Sequence, residues 1–261
     1  MRVTVCEMHD DVPSFERDWE QLVDHVGRER SDVVLLPEMP FSPWFAGAPA
    51  FDAAAWRRAL DAHDRWLARL GDLSPATVLG TRPVERGGRR VNEAFAWSAS
   101  GGYRGMHVKA FLPCEEGFWE SYWYEPGDDT FEPDDVAGAR VGFQICTELW
   151  SMGHAQRYGR RGVHVIATPR ATSKTSVDKW LAGGRVAAIV AGAYSLSSNR
   201  SSAENGPDFG GGGWVIGPDG DVLAVTDRSD PIRTVALELA VAERAKGTYP
   251  RYALAELPVE R

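Results

Sequence analysis

The sequence predicts a layered α/β sandwich folded as one domain. Two patterns carry that prediction. Short apolar or alternating strands recur between stretches of helical period, and antiparallel hairpin signals occupy the middle of the chain. A third observation agrees: the 261 residues hold no internal repeat, low-complexity tract or linker, and one chain of that length buries a substantial core.

The elements follow in order. Residues 2–7 (RVTVCE) alternate as a half-buried strand does. From Pro13 the period lengthens, so that Phe15, Trp19, Leu22, Val23 and Val26 share one helical face. Residues 32–36 (DVVLL) read as a strand buried on both sides, stopped by Pro37-Glu38-Met39-Pro40, which leaves Glu38 at the strand's carboxyl end. A helix is predicted over 53–72 and a strand over 77–81. Residues 91–98 and a strand ending near Lys109 flank the Ser100-Gly101-Gly102 turn as a hairpin. Residues 111–135, rich in aromatic, acidic and proline residues without clear period, read as a long functional loop. Strand 140–145 feeds Cys146, followed by a helix at 149–160, a strand at 163–168 and a helix at 176–192. Strands at 194–198, 214–216, 222–225 and 234–239 complete the order, with a Pro218-Asp219-Gly220 turn between two of them. Residues 248–258 show no helical period and are a candidate arm toward a neighbouring subunit.

Composition narrows the function. With 29 Lys+Arg against 37 Asp+Glu the net charge is −8, which argues against nucleic acid or an anionic membrane as partner. No basic-then-apolar leader and no long apolar run is present, so a cytoplasmic protein is expected. Three cysteines (Cys6, Cys114, Cys146) make no disulfide framework. They show no C-x-x-C spacing, and the six histidines form no H-E-x-x-H, so no metal is expected. Gly210–Gly213 lacks the Lys-Ser/Thr of a phosphate loop and reads as close backbone approach. A G-x-S-x-G serine elbow is absent.

Cys146 is the residue left with chemistry to do. It ends an apolar strand just before a helical segment, where backbone N–H groups favour a thiolate. Glu38 ends another apolar strand, poorly placed for solvation, and Lys109 follows a third strand-like stretch. Glu, Lys and Cys on three strand ends form the set that hydrolysis of a C–N bond needs.

These residues resemble the nitrilase superfamily of carbon–nitrogen hydrolases. Leu35-Leu36-Pro37-Glu38 is similar to its glutamate block, Lys109 with Leu112-Pro113 to its lysine block, and Val141–Glu148 (VGFQICTE) to its cysteine block. Glu120, five residues before Glu125-Pro126-Gly127-Asp128, is similar to the second glutamate, with Glu116 competing for that place. The stretches Arg185…Asn199 and Gly213…Gly220 are similar to the closing motifs. The resemblance implies a four-layer αββα sandwich, no cofactor, and a homodimer or larger homo-oligomer. It implies Cys146 as nucleophile, Glu38 as general base, Lys109 with the Thr147 N–H as oxyanion partners, and Glu120 as the group that holds Lys109 or the substrate. The expected substrate is a small linear amide; a nitrile, an N-carbamoyl amino acid, acyl transfer to an amine and a non-catalytic binding role are the alternatives. His107-Val108 departs from the usual aromatic-basic pair before the lysine, which leaves the substrate class open. Trp119 and Trp150 are candidates to line the pocket, and Arg170 is a candidate partner for a substrate carboxylate.

Overall fold

The computed structural model describes residues 1–202 and 208–254. In chain order these form β1 (Arg2–His9), α1 (Val12–Glu29), β2 (Val33–Leu35), α2 (Ala53–Leu67), β3 (Thr77–Arg86), β4 (Arg89–Ser98), β5 (Gly102–Val108), α3 (Glu120–Trp123), β6 (Asp134–Val136) and β7 (Ala139–Phe143). Then come α4 (Met152–Arg160), β8 (Val165–Arg170), α5 (Val177–Ala191), β9 (Tyr194–Ser201), β10 (Trp214–Ile216), β11 (Val222–Val225), β12 (Ile232–Ala236), α6 (Leu239–Ala245) and α7 (Arg251–Leu254). No helix among the described residues is long and apolar enough to cross a membrane.

Strand order runs β5-β4-β3-β2-β1-β9-β8-β7-β6, with β12 on the first half of β1 and β10 and β11 beyond β9. β1 divides its pairing. Its N-terminal residues join β2 and β12 in one sheet, whereas Glu7–His9 pair β9 in the other. The period-2 alternation of the strands builds the layers. Val3, Val5, Val33 and Leu35 point into the core that also takes in Val141, Phe143 and Val165 of the second sheet. Their neighbours Cys6, Val34 and Leu36 point the other way, onto Phe15, Trp19, Leu22 and Val26 of α1. With α4 and α5 on the outer face of the second sheet, the expected αββα sandwich is formed.

Helix ends follow local chemistry. Asp11 caps α1 by accepting from the Ser14 N–H at 3.0 Å, with Pro13 in the first turn. Asp52 caps α2 through the Ala54 and Ala55 N–H groups. Several expected boundaries shift. The helix expected over 53–72 stops at Leu67 and resumes as a 3-10 turn at Leu70–Leu73. The helix expected from 149 breaks at Ser151, between a 3-10 turn at Cys146–Trp150 and α4. β3 runs ten residues, to Arg86, because its pairing with β4 continues through Arg86↔Arg89. The long loop 111–135 holds the short α3, and the strand expected to reach Leu239 ends at Ala236, with α6 following. Arg251–Leu254 form a helical turn within the segment read as an arm; 255–258 lie outside the described residues.

One buried group fixes how this scaffold responds to acid. His63 on α2 is fully enclosed, its Nδ1–H donating to the Ala59 carbonyl at 2.8 Å, its ring against Phe41. Burial holds its pKa down to about 3. The unfolded chain therefore binds this proton below about pH 6.5 and the folded chain does not, so stability present above pH 6.5 is lost as pH falls toward 3. Between pH 7.5 and 5 the unfolding free energy of the wild type is expected to fall by about 2 kcal/mol more than that of His63→Gln. Urea titrations at both pH values check this, and equal losses contradict it.

Candidate active site

Four acidic, basic and thiol side chains meet where strand ends open between the two sheets. Glu38 follows β2 past Pro37, and its N–H donates to the Arg170 carbonyl at 3.2 Å. The next residue, Met39, has φ 50, and its N–H donates to Thr81 Oγ1 at 2.8 Å. Arg200, buried on β9, secures this turn by donating to the Glu38 carbonyl at 3.1 Å and pairing with Asp10. Held this way, the Glu38 carboxylate is fully enclosed. Its Oε1 accepts from Asn92 Nδ2 and Lys109 Nζ, both at 2.8 Å, while Oε2 is buried without a hydrogen-bond partner.

Lys109 directly follows β5, its N–H donating to the Asn92 carbonyl at 2.9 Å. The Pro126-Gly127-Asp128 turn packs directly on this strand: a Cβ on Gly127 would lie 2.2 Å from the Val108 carbonyl oxygen. That close approach is the physical reason for glycine there. The Lys109 ammonium, fully buried, donates to Glu120 Oε1 and Oε2 at 2.8 and 2.7 Å as well as to Glu38. Glu120, opening α3, is therefore the loop glutamate that holds the ammonium, and Glu116 stands exposed in the loop. Burial alone would drive the ammonium to lose its proton; the charges of Glu120 and Glu38 more than offset this and hold its pKa above the ordinary lysine value. Burial pushes the Glu120 carboxyl upward, opposed by Lys109.

Cys146 turns out of β7 with φ 47, a conformation non-glycine residues seldom adopt and one that recurs at functional sites. Its Sγ lies 3.9 Å from the Ala171 carbonyl. The expectation that the helix N-terminus favours the thiolate is corrected here. Burial pushes the thiol well above its ordinary value, the Glu38 charge pushes the same way, and Lys109 only partly opposes them. Both effects favour the thiol over a preformed thiolate.

A strut not foreseen from the sequence ties together the backbone segments that carry Lys109 and Cys146. Glu148, fully buried, accepts from the Ala110 N–H at 2.6 Å and the Ile145 N–H at 2.7 Å. These are the residues adjoining Lys109 and Cys146. His107 Nε2 faces both its oxygens, at 3.0 and 2.9 Å. The departure from the usual pair before the lysine thus has a structural job. Asn92 and Arg200 were also missed; the one detectable signal was the polar Asn92-Glu93 pair within the strand Val91–Ser98.

The cavity over Cys146 has a volume of about 230 Å3. Glu120, Thr147, Phe118, Thr172 and Trp180 are among its walls. Larger grooves, of about 630 and 490 Å3, lie elsewhere and have no cysteine in their walls. The Thr147 N–H belongs to the first turn of the 3-10 segment, where N–H groups have no intrahelical acceptor. Three expected lining residues are placed differently. Trp150 is half exposed and packs at a tilt against Trp180, with centroids 4.9 Å apart, over Gly183. Trp119 packs edge-on to Tyr122 away from the cavity. Arg170 is corrected from a substrate group to a structural one. Fully buried, it donates to Ser197 Oγ, Thr172 Oγ1 and the Gly212 carbonyl at 2.7–2.8 Å and lies over the Trp214 ring. The Gly210–Gly213 run is the close approach expected: a Cβ on Gly211 would meet the Glu7 carboxylate at 2.2 Å. Among the described residues no group of three His, Cys, Asp or Glu is placed to hold a metal ion.

Comparison with known proteins bears on this geometry. The sequence profile of carbon–nitrogen hydrolases matches residues 2–246. The chain is 24% identical to the N-carbamoylputrescine amidase of Arabidopsis thaliana over 252 residues, 88% of this chain and 83% of that one. It is 26% identical to the citrullinase of Francisella tularensis over 230 residues, 80% and 78% of the two chains. The solved carbon–nitrogen hydrolase of Helicobacter pylori G27 superposes with a TM-score of 0.85 at 19% identity, covering 97% of this chain and 94% of that one.

Proposed function

The chain belongs to the carbon–nitrogen hydrolase family, and from that premise we propose that it cleaves the C–N bond of a small linear amide or ureide through a thioester on Cys146. The observation that carries the reading is the buried Glu38–Lys109–Glu120 cluster beside the Cys146 thiol, at the base of a cavity open to a small substrate. Relatives named for N-carbamoylputrescine and citrulline act on compounds that end in a carbamoyl nitrogen, which supports a primary amide or ureide here.

The steps follow from the placement. Glu38, through its unpartnered Oε2, takes the thiol proton as sulfur attacks the carbonyl carbon. Negative charge builds on the carbonyl oxygen and is met by the Lys109 ammonium and the Thr147 N–H. Glu38 returns the proton to the nitrogen, the C–N bond breaks, and ammonia leaves. Water then loses a proton to Glu38 and attacks the thioester carbon. The C–S bond breaks and the sulfur recovers its proton from Glu38. Glu120 holds the ammonium in place throughout.

A panel of carboxamides, carbamoyl amines and nitriles read by ammonia release tests this. Amides or ureides are expected to turn over, and Glu38→Gln is expected to lower kcat by about 10²–10⁴ because proton transfer is lost while the Asn92 contact is kept. Turnover of nitriles alone, or an undiminished Glu38→Gln enzyme, contradicts the reading.

A further inference from the structure

Resting on that amidase reading, we propose that the site selects substrates whose far end carries a positive charge, with Glu115 at the cavity mouth as the recognising carboxylate. The inference comes from the charges in the cavity wall. Only Glu115 and Glu120 are charged among its lining residues, and both are acidic. Glu120 is spent on Lys109. Glu115 is exposed, forms no ion pair among the described residues, and is held in place by backbone bonds to Phe118, Phe118 N–H to Glu115 carbonyl at 2.9 Å.

Every cation near the cavity is already engaged. Lys109 sits between two carboxylates with no exposed surface. Arg170 is enclosed and bonded through all three guanidinium nitrogens. Lys174 lies outside the cavity wall and faces Asp208 at 3.6 Å. Among the described residues of the cavity wall no ammonium or guanidinium is present to receive a substrate carboxylate. With Glu120 matched by Lys109, Glu115 is the exposed charge of the wall, and a carboxylate at a partly enclosed cavity repels an anion and draws a cation. The remaining surface suits a short chain ending in an amine. Phe118 and Trp180 offer apolar walls for methylene groups and ring faces that tolerate an ammonium, while the Ser176 hydroxyl, which donates to the Ser173 carbonyl, keeps its oxygen available as an acceptor.

Three carboxamides of matched length test the proposal: 4-aminobutanamide, butanamide and succinic acid monoamide. Wild-type kcat/KM is expected to fall in that order, with at least about tenfold between the two charged compounds, carried by KM. Glu115→Gln is expected to narrow the ratio of the ammonium to the neutral compound several-fold, and Glu115→Lys to reverse the order of the charged pair. Calorimetric binding of the same three compounds to Cys146→Ala reads the order without turnover. Equal or tighter binding of succinic acid monoamide overturns charge selection, as does a Glu115→Gln change that shifts all three alike. Ordered binding without turnover of any amide by the wild type would leave charge selection standing and sink the amidase reading instead.

Discussion

Cys146→Ala is expected to release no ammonia from any amide that the wild type hydrolyses. The expectation rests on the absence of a substitute. Cys6 is fully buried, its N–H donating to Ser198 Oγ and its sulfur directed at the Leu35 carbonyl, and Cys114 is exposed outside the cavity wall. Losing one sulfur atom from a 3% exposed position leaves the fold standing, so unchanged circular dichroism with no turnover is the predicted pair of results. Cys146→Ser should retain at most about a thousandth of kcat, because a hydroxyl is far harder for Glu38 to deprotonate than a thiol. Undiminished turnover by either variant would discard the thioester route.

Lys109→Met is expected to lower kcat by about 10³, the effect of removing one oxyanion donor. It carries a second, separable consequence. Glu38 and Glu120 lose the ammonium at 2.8 and 2.7 Å that balances them in the interior. Breaking a buried pair in this way costs on the order of 3–5 kcal/mol of stability. The sign with pH follows from burial. A carboxyl whose pKa is raised in the folded protein, as that of Glu120 is, favours the folded state when protonated, so stability is lost as pH rises through the folded value. The variant should therefore be least stable in alkaline buffer. Adding Glu120→Gln removes one of the two uncompensated carboxylates and should recover part of the stability while kcat stays low. Recovery of activity in that double variant would show that Lys109 acts only as a counter-ion.

The sequence carried these catalytic candidates further than it carried the pocket, and the reason is geometric. Glu38, Lys109 and Cys146 each stand just beyond a strand, and strand ends are legible from period and proline positions; Glu120 was offered only by its resemblance to a family glutamate ahead of a Pro-Gly-Asp turn, with Glu116 as its rival. The direction of a side chain beyond a strand end is another matter. Arg170 was open to a substrate carboxylate until Ser197, Thr172 and Gly212, distant in sequence, were seen to hold its guanidinium. Trp150 stands next to the cysteine motif, yet Gly183 on α5 gives its ring a seat, and Trp180 faces the cavity instead. The thiol's raised pKa was illegible for a related reason. A helix N-terminus is visible in sequence, whereas complete burial beside a carboxylate is a property of the assembled layers. Glu148 was passed over because its partners, the N–H groups of Ala110 and Ile145, are backbone atoms that no residue pattern displays.

The central claim is that the acyl group of the substrate resides on Cys146 between two half-reactions. Acid quenching of the wild type within its first turnover of a primary amide, followed by mass spectrometry of the peptide bearing Cys146, tests it most directly. The predicted result is a mass increase equal to the acyl group less one hydrogen on that cysteine, accompanied by a burst of ammonia stoichiometric with enzyme. A stoichiometric ammonia burst with Cys146 unmodified would contradict the account.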